Sequence, residues 1–413
     1  MKKLLITAAA LLGLCSLNAQ VDSTERWFTG ADIYTATGAV YNNGALGIRN
    51  GKIIYVGAKE GAPIQGQTVD VSGKRIYPGL IALNTILGLS EIEAVRATND
   101  FNETGSNNAN VRSAIAFNTD SKVIPTVVSN GILTAQVCPR GGIISGQSSV
   151  MMLQNRNWEE ATYAADNGIH INWPNFNGEE KNDKAAAEQV AKIVGWLQQA
   201  KSYSQQKTTE INLKNEALKA ALAGTKKVFV HTDNARAMVN AIQTLREFSI
   251  TPIIVGGAES GQITHILKLN NVAVIISRTH RLPDSYDESY EEPYALPALL
   301  WRDSIPFAIS DINFWEQRNL PFQAGQAVAF GLPYEEAIKS ITLYPAQLLG
   351  IEKTTGSLQT GKDATFIVTA GDVLDMRSSK VEQAFLQGRS LDLNDPQRQL
   401  YEKYHELILG EKP

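Results

Sequence analysis

Between residues 80 and 350, short apolar runs rich in branched side chains alternate with stretches of helical periodicity. This alternation sets the fold class. Strand candidates are residues 132–138, 228–231, 251–255, 272–276 and 306–309. Helix candidates are 185–200, 210–223, 235–248, 323–330 and 334–342. Repeated strand-helix units build parallel sheets, because a parallel neighbour needs a crossover long enough to return the chain. The pattern leaves a closed barrel and an open parallel sheet as alternatives. Outside this region the character is β. Residues 44–57 form a hairpin signal around Asn50-Gly51, a type I′ turn pair. Residues 366–368 are a further β run, and Asp395-Pro396 opens a last helix with a capping residue and a proline at its first position.

A chain of 413 residues is long enough for one large barrel and a smaller domain. Its net charge of -4 gives no electrostatic case for nucleic acid or anionic lipid as a partner. Residues 1–19 read as an export signal: Lys2 and Lys3, then an apolar core from Leu4 to Leu14 that is too short to span a bilayer. The expected cut lies near Ala19, which puts the mature protein in the periplasm or outside the cell. Leu14 precedes Cys15 where a lipidation site wants a small residue, so a lipid anchor is disfavoured. The mature chain keeps one cysteine, Cys138, in an apolar run that favours a buried, inert thiol.

Residues 78–88 read Pro-Gly-Leu-Ile-Ala-Leu-Asn-Thr-Ile-Leu-Gly. They resemble the segment that opens the catalytic barrel of the amidohydrolase superfamily, closest to its imidazolonepropionase-like members. There the run is Pro-Gly-Leu-Ile-Asp-x-His-x-His. Residues 356–364, Gly-Ser-Leu-Gln-Thr-Gly-Lys-Asp-Ala, resemble the turn that returns that family's chain to its N-terminal strands. The resemblance chooses the barrel. It implies an α/β TIM (β/α)8 barrel over residues 79–351, a small flanking β-sandwich domain from 20–78 and 352–393, and a C-terminal helix over 394–413. The lineage it implies hydrolyses C–N bonds of cyclic amides and related small molecules at one or two divalent metals.

The metal motif itself is broken. Ala82 stands where the family has Asp, and Asn84 and Ile86 stand where it has its two strand-one histidines. Isoleucine has no lone pair to give, and an amide is a poor zinc ligand. The resemblance carries the fifth-strand ligand onto His231 and the eighth-strand carboxylate, ligand and proton shuttle, onto Asp311. On strand six, Gly256-Gly257 replaces a ligand histidine; Glu259 is a mouth candidate and His265 reads as structural. A strand-four ligand is not legible. A lone histidine after a strand is more often a hydrogen-bonded cap, and an aspartate there is often a turn residue; only the order of the surrounding motifs argues otherwise.

Two further segments are candidates for substrate contact. Residues 139–148 form a glycine-rich stretch, read as a loop, with Gly146 and Gln147 at its end. Glycines there allow close backbone approach to a ligand; equally, the stretch is a long turn. Arg278, His280 and Arg281 follow strand seven. Their guanidinium groups either grip a ligand carboxylate or pair with Asp284, Asp287 and Glu288 across the loop.

The expectation is an exported amidohydrolase-fold protein with a degenerate metal site. It binds a small-molecule ligand or a partner chain, as a homo-oligomer or beside an intact paralogue. Its cofactor is none, or one weakly held zinc. The alternative is a working C–N hydrolase with a reduced mononuclear site, or with Asp311 as base.

Overall fold

The chain begins with β1 (Arg26–Tyr34), β2 (Val40–Arg49), β3 (Lys52–Ala58), β4 (Gln67–Asp70) and β5 (Arg75–Pro78). Eight barrel strands follow: β6 (Leu80–Thr85), β7 (Ile132–Val137), β8 (Ile144–Met152), β9 (Thr162–Asn172), β10 (Lys227–Thr232), β11 (Ile253–Gly256), β12 (Ala273–Ile276) and β13 (Phe307–Ile309). β14 (Phe366–Thr369), β15 (Val381–Leu386) and β16 (Arg389–Ser390) complete the set. The computed structural model describes residues 25–410 apart from 207–209, 284, 285 and 287. The expected leader, residues 1–19, lies outside the described residues.

β1–β5 and β14–β16 form one sheet, in which β14 pairs antiparallel with β5. Asp363 ties the return turn to the hairpin, accepting an ion pair from Lys52 at 2.6 Å. β6 to β13 form the second sheet, each strand bonded to its sequence neighbour. The fold is therefore an α/β barrel of the TIM type with a small β domain beside it. The barrel sheet is nearly closed: no ladder joins β13 to β6, but the Ser310 hydroxyl donates to the Leu83 carbonyl across the gap.

Alternation of side chains along the strands explains the two cores. Ile81, Leu83, Phe229, Ile253, Val255 and Ile275 pack together inside the barrel. Their immediate neighbours Ala82, Val228, Val230, Ile254 and Val274 belong to the larger core outside it. That outer core takes in Met238 and Ile242 of the helix Ala235–Arg246, and Leu296 and Leu300 of the helix Glu292–Arg302. Successive residues of a strand point to opposite faces, so apolar runs are needed when both faces are buried.

One strand departs from the parallel expectation. β8 runs antiparallel to both β7 and β9. Only residues 138–143 link β7 to β8, too few for a crossover, and a short link joins strands antiparallel. The stretch read as a loop over 139–148 is thus half strand. Among the described residues, no helix is long and apolar enough to cross a membrane.

Candidate functional site

His231 is the fifth of six residues in β10 and lies two positions beyond Phe229, so its side chain faces the barrel interior. Phe229 is also the register partner of His170 on β9, which brings a second imidazole to the same face. His170 is fully buried and stacks on Phe229, with ring centroids 4.7 Å apart and planes at 12°. Nδ1 of His170 lies 2.8 Å from Nε2 of His231. His170 stands on the fourth strand of the barrel sheet, where the sequence reading named no residue.

Burial holds both imidazoles in the neutral form. It pushes His170 well below its usual pKa, helped by His231 and by the Arg140 charge. It pushes His231 down to about 3, again with Arg140 adding to the effect. Their protons can then be assigned from the bonds. An arginine only donates, so the long 3.5 Å contact from Arg140 Nη1 makes Nδ1 of His231 the acceptor. Nε2–H of His231 donates to Nδ1 of His170. That leaves Nε2–H of His170 buried with no partner.

Arg140 follows the end of β7 and is drawn over the mouth by the segment before it. Its backbone N–H donates to the Phe101 carbonyl at 2.6 Å. Its Nη2 donates to the backbone carbonyl of Asn84 at 2.7 Å. Among the described residues it has no carboxylate partner, and desolvation lowers its pKa.

Asn84 is 1% exposed and sits in the left-handed region, at φ 53°. Asparagine tolerates that region better than most residues. Its N–H donates to Gln136 Oε1 at 3.2 Å, so Gln136 and Arg140 clamp both sides of its backbone. Gln136 in turn donates to Ser148, and Ser148 to Asn167. The Asn84 side-chain amide has no partner at either end. Ile86 packs against the outer core instead of joining these groups.

The structure does not join the other candidates to this cluster. Asp311, just past β13, is 1% exposed. One carboxylate oxygen accepts from the Asn313 N–H at 3.1 Å and the other from Gln323 Nε2 at 2.5 Å. Burial raises its pKa, partly offset by these bonds and by Arg278. No described hydrogen bond links Asp311 to His231. Arg278 and Arg281 line a separate mouth cavity of about 260 Å³ with Asp233, Gly256 and Ile312. Arg281 is gripped by both oxygens of Glu288 within its own loop. His280 is partly buried beside Tyr294, and desolvation lowers its pKa. Glu259 accepts from the Ala235 N–H at 2.6 Å and caps the helix Ala235–Arg246.

Gly146 pairs with His170 across β8 and β9 at φ 137°. A Cβ there would lie 2.8 Å from the Val111 carbonyl and 2.9 Å from Pro139, so close packing alone demands glycine. Gln147 is buried with its amide bonded to the Ala109 carbonyl and to Lys226. Cys138 is buried, and desolvation pushes its thiol up to about 12.

Comparison with known proteins agrees with this architecture. The sequence model of the Amidohydrolase family matches residues 303–391. An amidohydrolase, tasK, from Hapsidospora irregularis is 22% identical over 375 residues, covering 79% of this chain and 37% of that protein's length. Imidazolonepropionase from Erwinia tasmaniensis is 22% identical over 389 residues, covering 85% of this chain and 93% of that protein. A crystal structure of an amidohydrolase from Thermotoga maritima superposes with a TM-score of 0.80 at 23% identity, covering 89% of this chain and 99% of that one. The barrel, the flanking sheet and the motif order together make this chain similar to the imidazolonepropionase-like proteins of the amidohydrolase superfamily, whose fold it shares.

Proposed function

We propose that this protein keeps the amidohydrolase barrel, has lost its metal centre, and uses the barrel mouth to bind a small molecule without metal-dependent hydrolysis. The observation that carries this reading is the state of His231. Its Nε2 is engaged by His170 at 2.8 Å, and its Nδ1 faces the Arg140 guanidinium at 3.5 Å. Neither nitrogen offers a free lone pair to a cation. A zinc ion needs three or four imidazole, thiolate or carboxylate donors. The donors around His231 do not fit one: Asn84 gives an amide, Ile86 gives nothing, and Asp311 is bonded to Gln323 and Asn313. Among the described residues, no three His, Cys, Asp or Glu side chains are grouped to hold a metal. The nearby fixed charge of Arg140 adds repulsion against a divalent ion.

The same proposal takes the protein to be exported, on the basic and apolar pattern of residues 1–19. The alternative is a C–N hydrolase with Asp311 as base. Burial raises the Asp311 pKa above the ordinary carboxylate value, which makes it a stronger proton acceptor. Its two occupied oxygens speak against that role.

The test is a hydrolysis screen with cyclic amides and dipeptides, with and without added zinc. The expected result is no zinc-dependent turnover above background. Turnover by the unmodified protein that disappears in Asp311→Asn would establish the alternative.

A further inference from the structure

We propose that Arg140 and the side-chain amide of Asn84 form a binding site for the carboxylate of a small molecule at the barrel mouth. The inference rests on the reading that no metal lies there.

A guanidinium at the edge of a protein interior ordinarily has a carboxylate beside it, because an uncompensated charge in a desolvated place is costly. Arg140 has none among the described residues. Its charge is met only by the Asn84 carbonyl at 2.7 Å and the distant ring nitrogen of His231 at 3.5 Å. The His231 imidazole it faces, and the His170 imidazole bonded to that ring, supply no negative charge. The guanidinium has donors left after these two bonds. It is only partly buried, so a ligand can reach it.

The second observation is independent. Asn84 is 1% exposed, yet both its side-chain oxygen and nitrogen lack partners. Its backbone is fixed in the left-handed region by Gln136 and by Arg140 itself. A clamp on both backbone groups, next to an unsatisfied side-chain amide, is the arrangement of a preorganised contact. Buried polar groups are otherwise paired in nearly all cases. The unsatisfied amide belongs to the residue whose backbone carbonyl the guanidinium holds, and a carboxylate accepts from both kinds of donor.

The other mouth arginines suit this role less well. Arg281 already holds Glu288, and Arg278 is exposed. A single, partly buried guanidinium favours a monoanion over a phosphate dianion.

The experiment titrates acetate, acetamide and chloride into the full protein, read by ligand-observed NMR, with zinc content measured on the same sample. Acetate should bind at least about tenfold more tightly than acetamide, a difference of roughly 1.4 kcal/mol. Arg140→Gln should reduce acetate to the acetamide level. Arg140→Lys should keep part of the preference, and Asn84→Ala should weaken acetate severalfold. The lysine and alanine variants keep the test decisive if Arg140→Gln does not fold. Equal binding of acetate, acetamide and chloride, or full acetate binding in Arg140→Gln or in Asn84→Ala, would overturn the proposal. If the sample holds no zinc and acetate is not preferred, only this inference fails. Stoichiometric zinc, with acetate binding that chelation abolishes, would overturn this inference and the loss of the metal centre together.

Discussion

Nδ1 of His170 and Nε2 of His231 lie 2.8 Å apart, on adjacent strands β9 and β10 inside the barrel. The pair is stabilised by neutrality. If both rings were protonated, each would carry a donor hydrogen at this contact, and two like charges would meet in a desolvated place. This one contact links the protonation of the site to the stability of the barrel.

That link gives a pH dependence. The folded-state pKa values of both histidines lie below the ordinary 6.5. Below 6.5 the unfolded chain therefore binds protons that the folded chain refuses, and stability falls as the pH falls. For His231 the loss is roughly 2 kcal/mol over the 1.5 units below 6.5, and His170 adds to it in the same direction. Urea unfolding of the wild type at pH 7 and pH 5 should show it, and His170→Gln should show a smaller loss. An identical pH dependence in the two proteins would mean that His170 is not held neutral.

The stacked floor under the pair should be sensitive to added volume. A Cβ on Gly168 would lie 2.2 Å from Cε2 of Phe229 and 2.6 Å from Cδ2. The backbone of Gly168 is not left-handed, so the strain of Gly168→Ala is steric alone. Pushing the ring aside disturbs the Phe229–His170 stack and should cost about 1–3 kcal/mol in denaturant unfolding. An unchanged midpoint would mean that the barrel interior has room that its packing does not suggest.

The sequence made the barrel legible where both faces of a strand are apolar. Residues 228–231 fall within the observed β10, and 272–276 and 306–309 each begin one residue before the observed β12 and β13. It failed at β8 and β9 for a physical reason. Ser145, Gln147, Ser148 and Ser149 are buried but polar, and they bond to residues of β9 and to the segment before β7 instead of packing on oil. Such a run carries the composition of a loop. His170 was hidden with them, although Ile169 and Ile171 on either side of it are the alternation that marks a strand. His231 and Asp311 were legible as strand-end residues through motif order. The convergence of Arg140 on Asn84 and His231 was not, because it depends on a left-handed turn at Asn84 and on where the segment before β7 lays its backbone.

Rebuilding the lost ligands should expose the role of Arg140. Asn84→His puts an imidazole at the residue that Arg140 holds, and Ile86→His puts a second at a position whose side chain now packs on the outer core. Measured by competition with a chromogenic chelator, zinc affinity should rise by about tenfold or more. Adding Arg140→Ala should raise it again, by removing the fixed charge beside His231. A triple variant no tighter than the double would show that the guanidinium is not a barrier to the metal. Hydrolysis should lag behind metal binding in both, because Gly256-Gly257 supplies no side chain on strand six.

The central claim is that the mouth of this barrel no longer holds a metal. Elemental analysis of protein purified without chelators, followed by dialysis against zinc and a second analysis, tests it most directly. The account predicts zinc far below one ion per chain in both samples and no rise in melting temperature on zinc addition. One or two zinc ions per chain that survive dialysis, with a matching rise in melting temperature, would contradict it.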